Sequence, residues 1–311
     1  MSVASKPIVV VGSINLDLVA TTHHIPAPGE TVLGLDFQEH PGGKGANQAV
    51  AVARLGYPVH MIGRVGNDAF GTQLSKHLAS AGVGLSAVMT SEGPSGIAVI
   101  VVAQTGENSI VVVPGANALV TPRDLDDHIE LIRSAGMVLT QLETPLETVL
   151  HLATLCAQEG VPLMLDPAPA RALPKELIEK VTWFTPNETE AAFFVDVAAD
   201  DTSVIAQALI DNGSKHVVLK LGARGAYVAT ADLPGVPISP FAVVAVDTTA
   251  AGDCFNGAFA TALCMGQDPT SSARFAAAAA AIAVTRAGAQ PSMPTAHEVQ
   301  AMLHGVAPHE E

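Results

Sequence analysis

The chain has 311 residues, 49% of them hydrophobic and only 14% charged, against about 25% charged in an average soluble domain. That supplies a large core and argues against a wholly disordered chain, and the formal charge of −15 argues against a duplex nucleic-acid binder, which needs a basic face. The longest runs free of Asp, Glu, Lys and Arg are 15 residues, His77 to Ser91 and Asn108 to Pro122, too short and too rich in Gly and Pro for a membrane-spanning helix.

In chain order, Pro7 to Val11 is a β-branched run that stops at Gly12, the pattern of a buried strand. A loop follows over Gly12-Ser13-Ile14-Asn15. Thr31 to His40 alternates loosely and runs into Pro41-Gly42-Gly43, which predicts short strands leading to a turn. Asn47 to Leu55 has helical spacing. Val59 to Gly63 predicts a strand and Asp68 to Ala81 an amphipathic helix. Two apolar runs flank Thr105-Gly106-Glu107-Asn108, so Gly96 to Val113 predicts a β-hairpin.

From Arg123 onward helices and strands alternate. Helices are predicted at Arg123 to Ser134, Leu146 to Glu159, Glu188 to Phe194 and Val204 to Asn212. Strands are predicted at Met137 to Leu139, Leu163 to Leu165, Thr182 to Phe184 and Val217 to Lys220. After a Pro-broken segment, Asp253 to Met265 and Ser271 to Val284 read as helices. The second contains the alanines Ala276 to Ala281, small enough for close helix–sheet packing. This alternation predicts one α/β domain with a mostly parallel sheet covered on both faces.

Three cysteines, Cys156, Cys254 and Cys264, form no CxxC pair, so neither a disulfide framework nor a zinc site is expected. A reducing cytoplasm is the expected location. The N-terminal run Ile8 to Val11 is too short for a secretory h-region. His23-His24 reads as a solvated loop pair.

Four segments at strand–loop–helix junctions carry candidate chemistry. Gly42-Gly43-Lys44-Gly45-Ala46-Asn47 exposes backbone N–H groups before a helix, which favours anionic or hydroxyl-rich ligands. It reads equally as a Gly-rich turn with an exposed lysine. It is neither a Walker A loop, since Gln38 and Gly45 stand where Gly and Ser/Thr are needed, nor a dinucleotide fingerprint. Asp247-Thr248-Thr249-Ala250-Ala251-Gly252-Asp253 runs into a helix. Its small residues would aim consecutive N–H groups at one spot, an anion hole, and Asp253 would accept a proton from an attacking hydroxyl. The bland alternative is a carboxylate that complements the helix dipole. Asn187 and Glu190 read first as a helix cap and second as groups near Mg²⁺-bound water. Lys220-Leu221-Gly222-Ala223-Arg224-Gly225 reads as a turn that also lets a nucleotide approach. Ligands of open parallel sheets bind at the carboxyl ends of strands, which favours the functional readings jointly.

The sequence resembles the ribokinase-like, or phosphofructokinase-B-type, carbohydrate kinases along essentially its whole length. The two signatures are Gly42-Gly43-Lys44-Gly45-Ala46-Asn47-Gln48-Ala49 and Asp247-Thr248-Thr249-Ala250-Ala251-Gly252-Asp253. Gly12 to Asp17, Gln141 to Pro145, Pro167 to Arg171 and Thr285 to Ser292 are similar to members that phosphorylate D-ribose.

The resemblance implies a three-layer α/β/α fold with a β-strand lid at about 15–42 and 96–117. It implies ATP-dependent phosphorylation of the 5-hydroxyl of D-ribose, with Mg²⁺ and a K⁺ activator, and a homodimer paired through the lid. It places Asn15, Asp17, Gly43, Lys44, Asn47 and Glu143 at the sugar hydroxyls and Asp253 as the base. Ala250, Ala251 and Gly252 would form the anion hole. Asn187 and Glu190 would organise the phosphates and Mg²⁺, with Lys220, Gly222 and Gly225 lining the nucleotide pocket. Asp247, Thr249, Ala283, Arg286, Gly288 and Ser292 would surround K⁺, several through carbonyls.

This sequence departs from such members at Thr249, where a bulkier aliphatic residue can stand, and at Ala277, where histidine can stand. Cys254, beside the proposed base, reads as a small buried residue. Relatives acting on deoxyribose, fructose, a ketodeoxy sugar acid or a nucleoside are the nearest alternatives. A non-catalytic sugar- or nucleotide-binding regulator is disfavoured by the intact Lys44, Gly252 and Asp253. A nicotinamide dehydrogenase lacks its glycine fingerprint.

Overall fold

The computed structural model describes residues 5–195, 201–230 and 233–305. Its main sheet is built on β1 (Ile8–Val11), whose four residues are all buried. Parallel partners flank β1: β4 (Val59–Gly66) and, beyond it, β5 (Gly84–Ser91) on one side, and β8 (Met137–Thr140) on the other. The sheet continues through β9 (Leu163–Leu165), β10 (Trp183–Phe184) and β11 (His216–Lys220), all parallel. It ends with antiparallel β12 (Ala226–Thr230) and β13 (Leu233–Ile238). A second, four-stranded sheet has the order β3 (Asp36–Gly42), β2 (Asn15–Thr22), β6 (Gly96–Ala103), β7 (Asn108–Val113).

The continuous apolar strands are explained by burial on both faces. Side chains alternate across a strand. So Ile8 and Val10 enter one core and Val9 and Val11 the other. The first core holds α1 (Lys44–Arg54), α2 (Ala69–Ser80), α9 (Ala251–Cys264), α10 (Pro269–Ala283) and α11 (Ala296–Leu303). The second holds α3 (Pro122–Asp127), α4 (Ile129–Ser134), α5 (Leu146–Glu159), α6 (Lys175–Lys180), α7 (Glu188–Phe194) and α8 (Thr202–Asp211). The expected three layers are present. In α10, Ala276 to Ala279 are buried, and α10 packs chiefly on α9.

Several predicted elements shift. The helix expected from Asn47 starts at Lys44, because Gly43 (φ 88°) turns the chain sharply enough for α1 to begin there. The single helix expected over Arg123 to Ser134 is two, divided at His128. Residues 31–34 form no strand, and β3 runs later than expected, over Asp36–Gly42. The strands β5, β12 and β13 went unpredicted, while β2 falls in the stretch at about 15–42 where the resemblance implies lid strands. Pro237 obscured β13, yet this is an edge strand, where a missing N–H is tolerated. The hairpin expected over Gly96 to Val113 forms as β6 and β7, with Ile97 opposite Val113.

No helix among the described residues is long and apolar enough to cross a membrane.

Candidate active site

Gly43 and Gly45 of the first signature meet close backbone, and Gly42 meets the Asp17 side chain. A Cβ on Gly45 would lie 2.7 Å from the Ser13 nitrogen, and one on Gly42 would lie 2.3 Å from an Asp17 carboxylate oxygen. The loop after β1, the start of β2 and the start of α1 therefore lie against one another. That contact gathers the expected sugar residues.

Glu143, after β8, accepts from Ser13 Oγ at 2.5 Å and from the Lys44 N–H at 3.1 Å, both on Oε2. Neither bond uses Oε1. Asn15 is fixed by Asn117, whose Nδ2 donates to Asn15 Oδ1 at 2.6 Å. That leaves the Asn15 amide hydrogens for a ligand. Burial, with Glu143 and Asp253 nearby, pushes the Asp17 carboxyl up to about 6. Lys44 faces Asp253, Asp166, Glu143 and Glu190. Burial would lower its affinity for a proton, but these carboxylates together raise it, so the ammonium is firmly charged.

Asp253 stands in the first turn of α9 and is 5% exposed. Asn47 Nδ2 donates to its Oδ2 at 2.9 Å, and Gln48 Nε2 to its Oδ1 at 3.2 Å. Burial pushes its carboxyl up to about 6; Asp166 adds to this, while Lys44 and the two amides oppose it. The Asn47 amide oxygen accepts from Gln290 at 3.0 Å. Asn47, expected at the sugar hydroxyls, thus spends its amide chiefly on holding Asp253.

Ala250, the N-cap of α9, has φ 57° and is the one non-glycine residue with positive φ among those described. This left-handed turn is disfavoured for an L-residue and lets the chain enter α9 abruptly. The Ala251 N–H bonds the Thr248 carbonyl at 3.2 Å. The N–H groups of Gly252 and Asp253 carry no intrahelical bond, as at any helix start, and point along the positive end of the helix dipole. Lys220 supplies a cation there: a Cβ on Gly252 would lie 3.5 Å from its Nζ. Lys220 also pairs with Asp166 at 2.9 Å.

Asn187 and Glu190 form the expected capping box. Glu190 N–H donates to Asn187 Oδ1 at 2.8 Å, and Asn187 N–H donates to Glu190 Oε2 at 2.8 Å. Burial and Asp166 raise the Glu190 carboxyl, against Lys220 and Lys44. The Lys220 N–H bonds the Pro186 carbonyl at 2.9 Å, which joins this cap to β11. Gly222 (φ 54°) and Gly225 (φ 89°) then turn the chain into β12.

Asp247 ties two loops together. Its Oδ1 accepts from the Thr249 N–H at 2.9 Å and its Oδ2 from the Gly288 N–H at 2.8 Å. These bonds hold its carboxyl below the ordinary range despite burial. The Ala283 carbonyl accepts from the Arg286 N–H at 3.1 Å, and Ser292 Oγ donates to the Ala289 carbonyl at 2.7 Å. The Arg286 side chain points to Glu298. Ala277 is packed in α10, and burial, with Asp253 adding, pushes the adjacent Cys254 thiol well up, which keeps it protonated.

Sequence reasoning assigned no role to Ser13, Gln48, Asn117 or Asp166. A usable signal was position: Asp166 directly follows β9, at the same sheet end as Glu143 and Lys220.

Residues 5–296 match the pfkB family of carbohydrate kinases. The chain is 43% identical over 302 residues to the ribokinase of Bacillus subtilis, covering 96% of this chain and 99% of that one. It is 41% identical to the ribokinase of Haemophilus influenzae, with 96% and 98% covered. The Arabidopsis thaliana ribokinase structure, complexed with ribose and ATP, superposes with a TM-score of 0.90 at 36% identity, covering 96% and 99%.

Proposed function

The chain belongs to the pfkB family of carbohydrate kinases, and from that premise we propose that it transfers the γ-phosphoryl group of ATP to the 5-hydroxyl of D-ribose. The observation that carries the reading is Asp253. A buried carboxylate with a raised proton affinity sits one residue from a free helix N–H at Gly252, with Lys220 beside it and Lys44 facing it. Phosphoryl transfer needs this combination: a base for the attacking hydroxyl and fixed positive potential where charge develops.

Ribose fits the sugar side by its hydroxyls. Each is both donor and acceptor, and the site offers the Asp17 and Glu143 carboxylates, the Asn15 amide and the Lys44 ammonium. Asp253 accepts the proton of the 5-hydroxyl as that oxygen attacks. The Gly252 N–H and the ammonium of Lys220 meet the transferring group.

The residues present fit both metal ions. Glu190 and Asp166 are hard carboxylate oxygens near Lys220, suited to Mg²⁺ and its waters, and they would hold it beside the phosphates. When bound, Mg²⁺ neutralises phosphate charge. The ionised Asp247, with the loop carbonyls around Thr249, Ala283, Arg286 and Gly288 and near Ser292, is an oxygen-rich set suited to K⁺. Asp247 there keeps the loop before the anion hole tied to Gly288.

The lid supports a homodimer. Phe37, Val99, Val111 and Val113 share one face of the small sheet and are 58%, 41%, 60% and 43% exposed. An apolar face of this kind marks an interaction site. The cysteines are free, which fits a reducing compartment and the cytoplasm.

A coupled ATP-consumption assay over pentoses, hexoses and nucleosides tests the reading. D-ribose should give the highest kcat/KM, with ribose 5-phosphate as product and lower activity when Na⁺ replaces K⁺. Preference for deoxyribose, a hexose or a nucleoside would reassign the substrate.

A further inference from the structure

Beneath the site runs a chain of buried polar side chains, two of which, Gln48 and Gln141, the reaction above leaves without a role. Gln141, directly after β8, donates from Nε2 to Gln48 Oε1 at 2.7 Å. Gln48 Nε2 donates to Asp166 Oδ2 at 3.1 Å and to Asp253 Oδ1 at 3.2 Å. Asp166 Oδ1 accepts from Lys220 Nζ at 2.9 Å. Gln48, Gln141 and Asp166 are 1%, 0% and 2% exposed.

An uncharged amide nitrogen carries two hydrogens. Here each goes to a different buried carboxylate. Turning the Gln48 amide over would bring its oxygen against both carboxylates, and the Gln141 donor holds it the other way. Gln141 is itself confined, because a Cβ on Gly12 would lie 2.1 Å from its Oε1.

We propose that Gln48 is a positioning residue for the reaction, tying the Asp253 carboxylate to the Asp166–Lys220 ion pair beside the anion hole, and that Gln141 fixes its orientation. The base and the phosphate-side cation then keep one mutual geometry. The inference rests on the kinase reading above.

The charged groups around Asp253 come from several elements. Lys44 lies on α1, Asp166 follows β9, Asp17 lies on β2 and Lys220 ends β11. Glu143 and Glu190 act on Lys44, and Arg286 acts on the neighbouring Cys254. Against this background, loss of one amide donor to the ionised carboxylate strengthens its hold on a proton.

The test uses Gln48→Met and Gln141→Met, which keep an unbranched side chain of similar length. The readout is the acid limb of the pH profile of kcat/KM for ribose. Losing a hydrogen bond to a charged group should move the Gln48→Met limb upward by about one pH unit. Gln141→Met, two bonds from the base, should move it the same way by less, and it reads the same limb if Gln48→Met does not fold. At pH 8 the ribose KM should stay near that of the unaltered protein. A lower melting temperature with an unmoved limb would mean that these amides are only structural, and would overturn the proposal. Absence of ATP-dependent ribose turnover in the unaltered protein would overturn the kinase reading instead.

Discussion

Asp253 is held in a state that costs the folded protein stability. Its carboxyl is pushed from 3.8 to about 6. The unfolded chain therefore ionises it more readily, and stability falls as pH rises from the unfolded value through about 6. Above that range the cost is about 3 kcal/mol. Asp253→Asn carries no such charge. Its new NH2 meets an amide donor, a cost that does not vary with pH, so its melting temperature should rise relative to that of the unaltered protein as pH increases from about 4 to 8; a difference independent of pH would contradict the burial argument. Glu143→Ala should act differently. It removes an acceptor proposed to face the sugar, so the ribose KM should rise by about tenfold or more while the ATP KM holds. A change confined to ATP would place Glu143 on the wrong side of the site. Asp253 and Lys44 were legible as candidates because the signatures that carry them are local, and Glu143 because the short stretch Gln141 to Pro145 carries it. Gln48 and Asp166 were not, because their roles arise from partners 205 and 118 residues away.

At the scale of elements, α1 and α9 bring the site together, since one carries Lys44, Asn47 and Gln48 and the other Asp253. Their contact depends on Gly257. A Cβ there would lie 2.7 Å from the Ala51 Cβ and 2.9 Å from the Gln48 carbonyl oxygen. Gly257→Val should destabilise the protein by about 1–3 kcal/mol or more, because two helix backbones must separate. Its denaturation midpoint should fall with an unchanged slope, and kcat should fall with it. An unchanged midpoint would show that this contact is not tight. The long helices were legible from their period, to within a few residues. The strands β5, β12 and β13 were not. They lie at the sheet margins, where one strand tolerates proline and β5 mixes polar with apolar residues, so no continuous apolar run marks them.

For the whole molecule, the charge of −15 and the binding of a nucleotide are compatible. The cations that matter, Lys44 and Lys220, lie inside at the sheet end, among carboxylates that keep Lys44 charged, and a helix N-terminus completes the positive site. The low charged fraction follows from a sheet buried on both faces. The small four-stranded sheet is the exception, with its exposed apolar face. If the proposed dimer pairs through this face, introducing Val99→Asp and Val111→Asp together should convert it to a monomer in sedimentation experiments, and an unchanged mass would contradict that pairing. The role proposed for Asp253 is to deprotonate ribose for attack on ATP. It is tested most directly by measuring turnover and ribose affinity of Asp253→Asn at pH 8. Loss of the base should lower kcat by about 10²–10⁴ and leave ribose affinity nearly unchanged. Turnover close to that of the unaltered protein would contradict it.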